Sequence, residues 1–192
     1  MDEGRPSETA AVAAITPAIL KRLMISRKIL DDVISRPLDA QSDFYKTRLQ
    51  RWEALSGPLK LRLKAMVVMR SRFAEDCLAE AFHEGARQFV VLGAGLDTFA
   101  YRRPDWANWL RIFDVDYPAT QQWKRRLLAD AKVRVENGIF VPVDFEKIPL
   151  ASALSNSGFD SNVATFFSML GVEPVSHGSS SARDAEMFDR GR

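Results

Sequence analysis

The stretch that decides the fold is Gln88-Phe-Val-Val-Leu-Gly-Ala-Gly-Leu-Asp-Thr-Phe-Ala-Tyr-Arg102. Phe89 to Leu92 form a short, partly β-branched apolar run, the composition of a parallel strand covered by helices on both faces. Gly93 and Gly95 follow at once, and glycines there permit backbone angles and a close ligand approach that a Cβ obstructs. Doubly wound sheets place their ligand at this first strand-to-helix turn. Asp97 argues against the dinucleotide version of the turn. Gly-Ala-Gly-Leu-Asp-Thr lacks a third glycine and puts a carboxylate where a pyrophosphate needs positive potential. A ligand with a cationic end is expected instead.

Working outward, residues 59–85 read as an amphipathic helix with Leu63, Met66, Val67, Phe73, Leu78 and Phe82 on its apolar side, closed by Gly85. Downstream, residues 110–115, 139–143 and 163–167 read as further strands. Residues 118–131 read as a helix with Pro118 near its start and Trp123, Leu127 and Leu128 as packing positions. Strands alternating with helices imply right-handed parallel crossovers and an α/β, Rossmann-like half-sheet, with too little chain before the fourth strand for a long helix. Three regions are expected: an N-terminal helical region over 1–58, the Rossmann-like domain over 59–172, and a polar, flexible tail over 173–192. Within the first, the segment from Thr9 to Met24 is broken by Pro17, and Arg36-Pro and Ser56-Gly-Pro mark turns. With little beyond the fourth strand, its apolar edge is left open, which predicts self-association through that edge.

Composition narrows the function classes. The 192 residues are 46% apolar and 27% charged, enough for one globular core and outside the disordered range. The net charge of +2 comes from nearly balanced totals, so neither nucleic acid nor a membrane surface is expected as a partner. The basic run Lys124-Arg125-Arg126 reads as a solvated helix face. Cys77 is the only cysteine, which excludes an internal disulfide and a cysteine-built zinc site and makes a reducing cytoplasm the expected compartment. No apolar run approaches membrane-spanning length.

Three strand ends carry acidic residues. The second ends in Phe113-Asp-Val-Asp-Tyr-Pro118, which puts Asp116 about 20 residues after the glycine turn, where a carboxylate accepts ribose hydroxyls. Asp114 lies on the same strand face, deeper, and is second choice. The third ends in Val143-Asp144-Phe145-Glu146, where Asp144 can bond an adenine amino group and Phe145 can stack on its ring. Each of these acids also suits a helix cap or a solvated strand end. Arg70 or Arg72, on the preceding helix, can reach the carboxylate of an amino-acid-bearing ligand. Tyr101, Arg102 and Trp106 either line the pocket or pack. His83 and His177 have no partners that suggest a triad or a metal site.

Taken in order, Arg70-Ser-Arg-Phe-Ala-Glu-Asp, Val91-Leu-Gly-Ala-Gly-Leu-Asp-Thr-Phe-Ala-Tyr-Arg, Phe113-Asp-Val-Asp-Tyr-Pro-Ala-Thr-Gln, Val141-Pro-Val-Asp-Phe-Glu and Phe166-Phe-Ser-Met-Leu-Gly-Val resemble the leucine carboxyl methyltransferase family, in its bacterial S-adenosyl-L-methionine-dependent branch. The resemblance covers roughly Thr9 to Val172. It implies a class I methyltransferase fold with S-adenosyl-L-methionine as cofactor. Gly93 and Gly95 would lie along the methionine portion, Asp116 at the ribose, Asp144 and Phe145 at adenine, and Arg70, with Arg72 the alternative, at the methionine carboxylate. The implied reaction is O-methylation of a small-molecule or peptide carboxylate or hydroxyl. The family continues past the fourth strand with the rest of a seven-stranded sheet, whereas this chain turns polar at Glu173. That departure makes a truncated, inactive cofactor-binding or interaction domain the competing expectation. A nicotinamide oxidoreductase is disfavoured by Asp97 and the absent third glycine.

Overall fold

The computed structural model describes residues 57–136 and 138–170. The expected N-terminal helices and the polar tail lie outside the described residues.

Four parallel strands form one sheet: β1 (Gln88–Leu92), β2 (Arg111–Asp116), β3 (Ile139–Pro142) and β4 (Thr165–Met169), in the spatial order β3-β2-β1-β4. Every residue of β1 is buried. Its alternate side chains serve two cores, as the two-residue period of a strand demands. Phe89 and Val91 join Leu78, Phe99, Ala107 and Ile112 on one face. Val90 and Leu92 join Phe113, Val115, Val141, Leu150 and Leu154 on the other.

Helix α1 (Gly57–His83) leads into β1. Gly57 and Pro58, ahead of the expected first residue, are already helical. Gly85, with φ of 110°, turns the chain out of the helix, and the Ala86 N–H closes onto the Ala81 carbonyl at 2.8 Å. The expected apolar side is only partly correct. Leu78 is fully buried, but Met66 and Phe73 are exposed, Phe73 by 71%. The register places Val68 inward instead; the side chains of Leu63 and Val67 lie outside the described set.

Between β1 and β2 the chain forms the short helix α2 (Phe99–Arg102) and a 3-10 turn at Asp105–Trp109. Helix α3 (Pro118–Asp130) follows β2, with proline at its start and Leu127 and Leu128 buried. A seven-residue helix, α4 (Leu150–Asn156), joins β3 to β4. The fourth strand begins two residues later than Val163, because Val163 closes a turn on the Asp160 carbonyl at 3.2 Å. Chain order reverses between β1 and β4, and the crevice outside the carboxyl ends at such a switch point is where open α/β sheets bind ligands. Among the described residues β4 has no outer neighbour, and Met169 at its end is exposed.

Candidate functional site

At the carboxyl end of β1 the backbone takes left-handed values at Gly93 (φ 64°) and Gly95 (φ 49°), angles that penalise any side chain. The turn is tied to β2 twice: the Ala94 N–H donates to the Val115 carbonyl at 3.0 Å, and the Gly95 N–H donates to Asp116 Oδ2 at 2.5 Å. Asp116 Oδ1 accepts the Tyr117 N–H at 2.6 Å. The residue is 8% exposed. Burial pushes its carboxyl above the ordinary range, opposed by the Gly95 and Tyr117 N–H groups and by the Lys124 ammonium. Asp116 therefore stands beside the glycine turn, as its spacing predicts, and shapes the turn as well as facing it.

Asp97 accepts the Phe99 N–H at 2.9 Å and so starts α2. Its carboxyl is also pushed up by burial, with Arg102 and Lys124 acting the other way. Asp114 is no solvating strand residue. It forms an ion pair with Lys124 at 2.6 Å, with both side chains 2% exposed. The Tyr101 hydroxyl donates to the same Asp114 oxygen at 3.3 Å.

The expectation of a solvated Lys124-Arg125-Arg126 face is thereby corrected: Arg125 and Arg126 are exposed, but Lys124 is in the core. The signal was present in the helical period, since Gln121, Lys124 and Leu128 share one face of α3. Gln121, also missed, donates to the Asp114 and Val141 carbonyls at 2.6 and 3.0 Å, locking the carboxyl ends of β2 and β3.

Of the residues following the turn, Arg102 pairs with Glu75 of α1 at 2.5 Å, and Trp106 packs against Phe82 and Phe99. The Glu75 contact ties the middle of α1 to the end of α2, the helix that follows the glycine turn. Arg70, five residues earlier, lies roughly 7.5 Å further along the helix at 1.5 Å per residue. Its Nε is buried without a hydrogen-bond partner, and burial lowers its pKa. Arg72 is spent on Asp76 at 2.6 Å on an exposed surface.

At the third strand end, Asp144 accepts the Glu146 N–H at 3.1 Å and pairs with the exposed Lys147 at 3.0 Å. The Lys147 bond holds its carboxyl below the usual range. Phe145 packs on the second core. Asp144 and Phe145 thus follow the strand that Gln121 locks to β2.

Parallel order, left-handed glycines at the end of β1 and the Asp116 carboxylate bonded to Gly95 from the end of β2 define a doubly wound, Rossmann-like domain whose candidate crevice lies at the carboxyl edge. Residues 10–174 match the leucine carboxyl methyltransferase family. The chain belongs to that family. It is 37% identical over 155 residues to the "Putative S-adenosyl-L-methionine-dependent methyltransferase YktD" of Bacillus subtilis (strain 168), covering 78% of this chain and 51% of that protein. It is 32% identical over 170 residues to a protein of Mycobacterium sp. (strain JLS) with the same descriptive name, covering 87% of this chain and 60% of the relative. The chain thus spans a little over half the length of these relatives.

Proposed function

We propose that the carboxyl edge of the sheet binds S-adenosyl-L-methionine and that the domain serves O-methylation of a carboxylate or hydroxyl on a small molecule or peptide. The observation that carries the reading is the orphaned Arg70 Nε on α1, the helix that Glu75 ties to α2 just after the glycine turn. A buried donor with no acceptor costs free energy, and the carboxylate of an amino-acid ligand satisfies it. Arg72, already paired with Asp76, is the weaker candidate. Gly93 and Gly95 leave the turn without a Cβ where the methionine portion would pass. Asp116 offers its lone pairs to the ribose hydroxyls, and Asp144 with Phe145 would receive adenine. The names of the relatives support this cofactor.

When bound, the cofactor would supply a sulfonium methyl group for an acceptor oxygen, its S–CH3 bond breaking to leave a neutral thioether. The chain's own contribution is alignment and exclusion of water, which suffices when the acceptor is already a carboxylate. No general base is assigned.

A second reading is a cofactor-binding or interaction domain without transferase activity, whose partner would pair with β4, which has no outer neighbour among the described residues. Under either reading the edge is proposed to pair with a second copy. Titration calorimetry with S-adenosyl-L-homocysteine tests the cofactor: saturable binding supports it, and a folded chain that binds NADH instead overturns it. Methyl transfer by the purified chain would eliminate the second reading.

A further inference from the structure

Lys124 is a buried ammonium that the cofactor reading does not use. It lies 2.6 Å from Asp114 Oδ2, and its Nζ is 5.4 Å from the Tyr101 ring centroid and 5.8 Å from that of Phe140. Burying such a pair is expensive, and well-packed apolar residues are often as stable or more so. Its position suggests a reason for keeping it. The pair joins three elements around the glycine turn: β2 through Asp114, α2 through the Tyr101 hydroxyl on that same carboxylate, and α3 through Lys124 itself. Gly138, just before β3, leaves room for the Tyr101 hydroxyl, which lies 3.1 Å from where a Cβ would stand.

We propose that Lys124 is a positioning residue for the cofactor crevice: through Asp114 and Tyr101 its ammonium fixes α2 behind the glycine turn. The inference rests on the cofactor reading above and adds to it a residue that need not touch the ligand. The charged and titratable groups that face it are Asp97 in the turn, Tyr101 in α2, and Asp114 and Asp116 in β2, with Arg102 acting on Asp97 and Arg125 on Tyr101. Burial raises both Asp97 and Asp116, and Lys124 opposes that rise in each. The sign follows directly. Asp116 accepts from a ribose hydroxyl best when ionised, so binding weakens as pH falls through its raised pKa. Removing Lys124 raises that pKa further and moves the loss of binding to higher pH.

The test is calorimetric titration of S-adenosyl-L-homocysteine from pH 5.5 to 9 into the wild-type chain, Lys124→Met, and Lys124→Met with Asp114→Asn. The double variant removes the pair as a neutral unit and preserves folding if the single variant does not fold. The expected result is saturable binding by the wild type and at least tenfold weaker binding by both variants at pH 7. The binding midpoint of the single variant should also move to higher pH, whereas that of the double variant, which loses a positive and a negative charge together, should stay near the wild-type value. A folded double variant with wild-type affinity overturns the inference, because Lys124 then only neutralises Asp114, and so does a folded single variant whose affinity and pH profile are unmoved. No binding by the folded wild type overturns the cofactor reading itself.

Discussion

The two ends of the sheet differ in how fully their polar groups are used. At the amino end, a cavity of about 500 Å³ is lined by Phe82, Arg87, Gln88, Trp109, Arg111 and Asp160. Gln88 there is fully spent: its amide donates to the Asp160 carbonyl and to Thr165 Oγ1, and its oxygen accepts the Asp160 N–H. Arg87 donates to the Phe82 and Ala86 carbonyls. At the carboxyl end the chain keeps two left-handed glycines and two carboxyls whose pKa burial raises, and on α1 the Arg70 Nε is buried with no partner. Open space alone is therefore a poor guide here. The Gln88 amide in that cavity staples β1 to the turn before β4 and to Thr165 of β4, whereas the Arg70 Nε stays unsatisfied.

The comparison predicts that stability and binding separate by location. The largest effect belongs to Asp114→Asn, which leaves the Lys124 ammonium buried without its counter-ion and should cost about 3–5 kcal/mol in chemical denaturation. A loss below about 1 kcal/mol would mean that Lys124 finds another partner. Gln88→Ala, at the amino end, should cost about 2–3 kcal/mol of stability through three broken hydrogen bonds and leave cofactor affinity where it was. Weaker binding by that variant, once refolded, would break the division between the ends.

At the carboxyl end, Arg70→Ala should weaken cofactor binding by about 1.5–3 kcal/mol, and Arg72→Ala, which breaks only an exposed pair, by less than about 0.5 kcal/mol. The reverse order would transfer the carboxylate contact to Arg72. Asp116→Ala should weaken binding by about 1–3 kcal/mol, with melting temperature followed alongside. Unchanged affinity in a folded Asp116→Ala variant would remove that side chain from the site.

The sheet was legible because parallel strands buried on both faces are nearly continuous apolar runs, and all four sit where those runs fall. Spacing alone placed Asp116 beside the turn. What failed depended on contacts between distant residues. The fourth strand starts at Thr165 because Gln88, 72 positions before Asp160, holds the preceding turn. Met66 and Phe73 satisfied a helical period yet lie outside, since the period specifies a stripe and not what covers it. Lys124 was misassigned by charge, although its spacing from Gln121 and Leu128 put it on the inner face; the counter-ion that permits its burial is on another element. The acidic ends of β2 and β3 looked equivalent in sequence. Asp116 is gripped by the turn, whereas Asp144 caps its own exposed one.

The central claim, that the carboxyl end of β1 and β2 is the cofactor site, is tested most directly by amide NMR of the labelled chain titrated with S-adenosyl-L-homocysteine. The account predicts saturable shifts concentrated at Gly93, Gly95 and Tyr117, with Gln88, Trp109 and Arg111 unmoved. Shifts confined to those amino-end residues, or none in a folded chain, would contradict it.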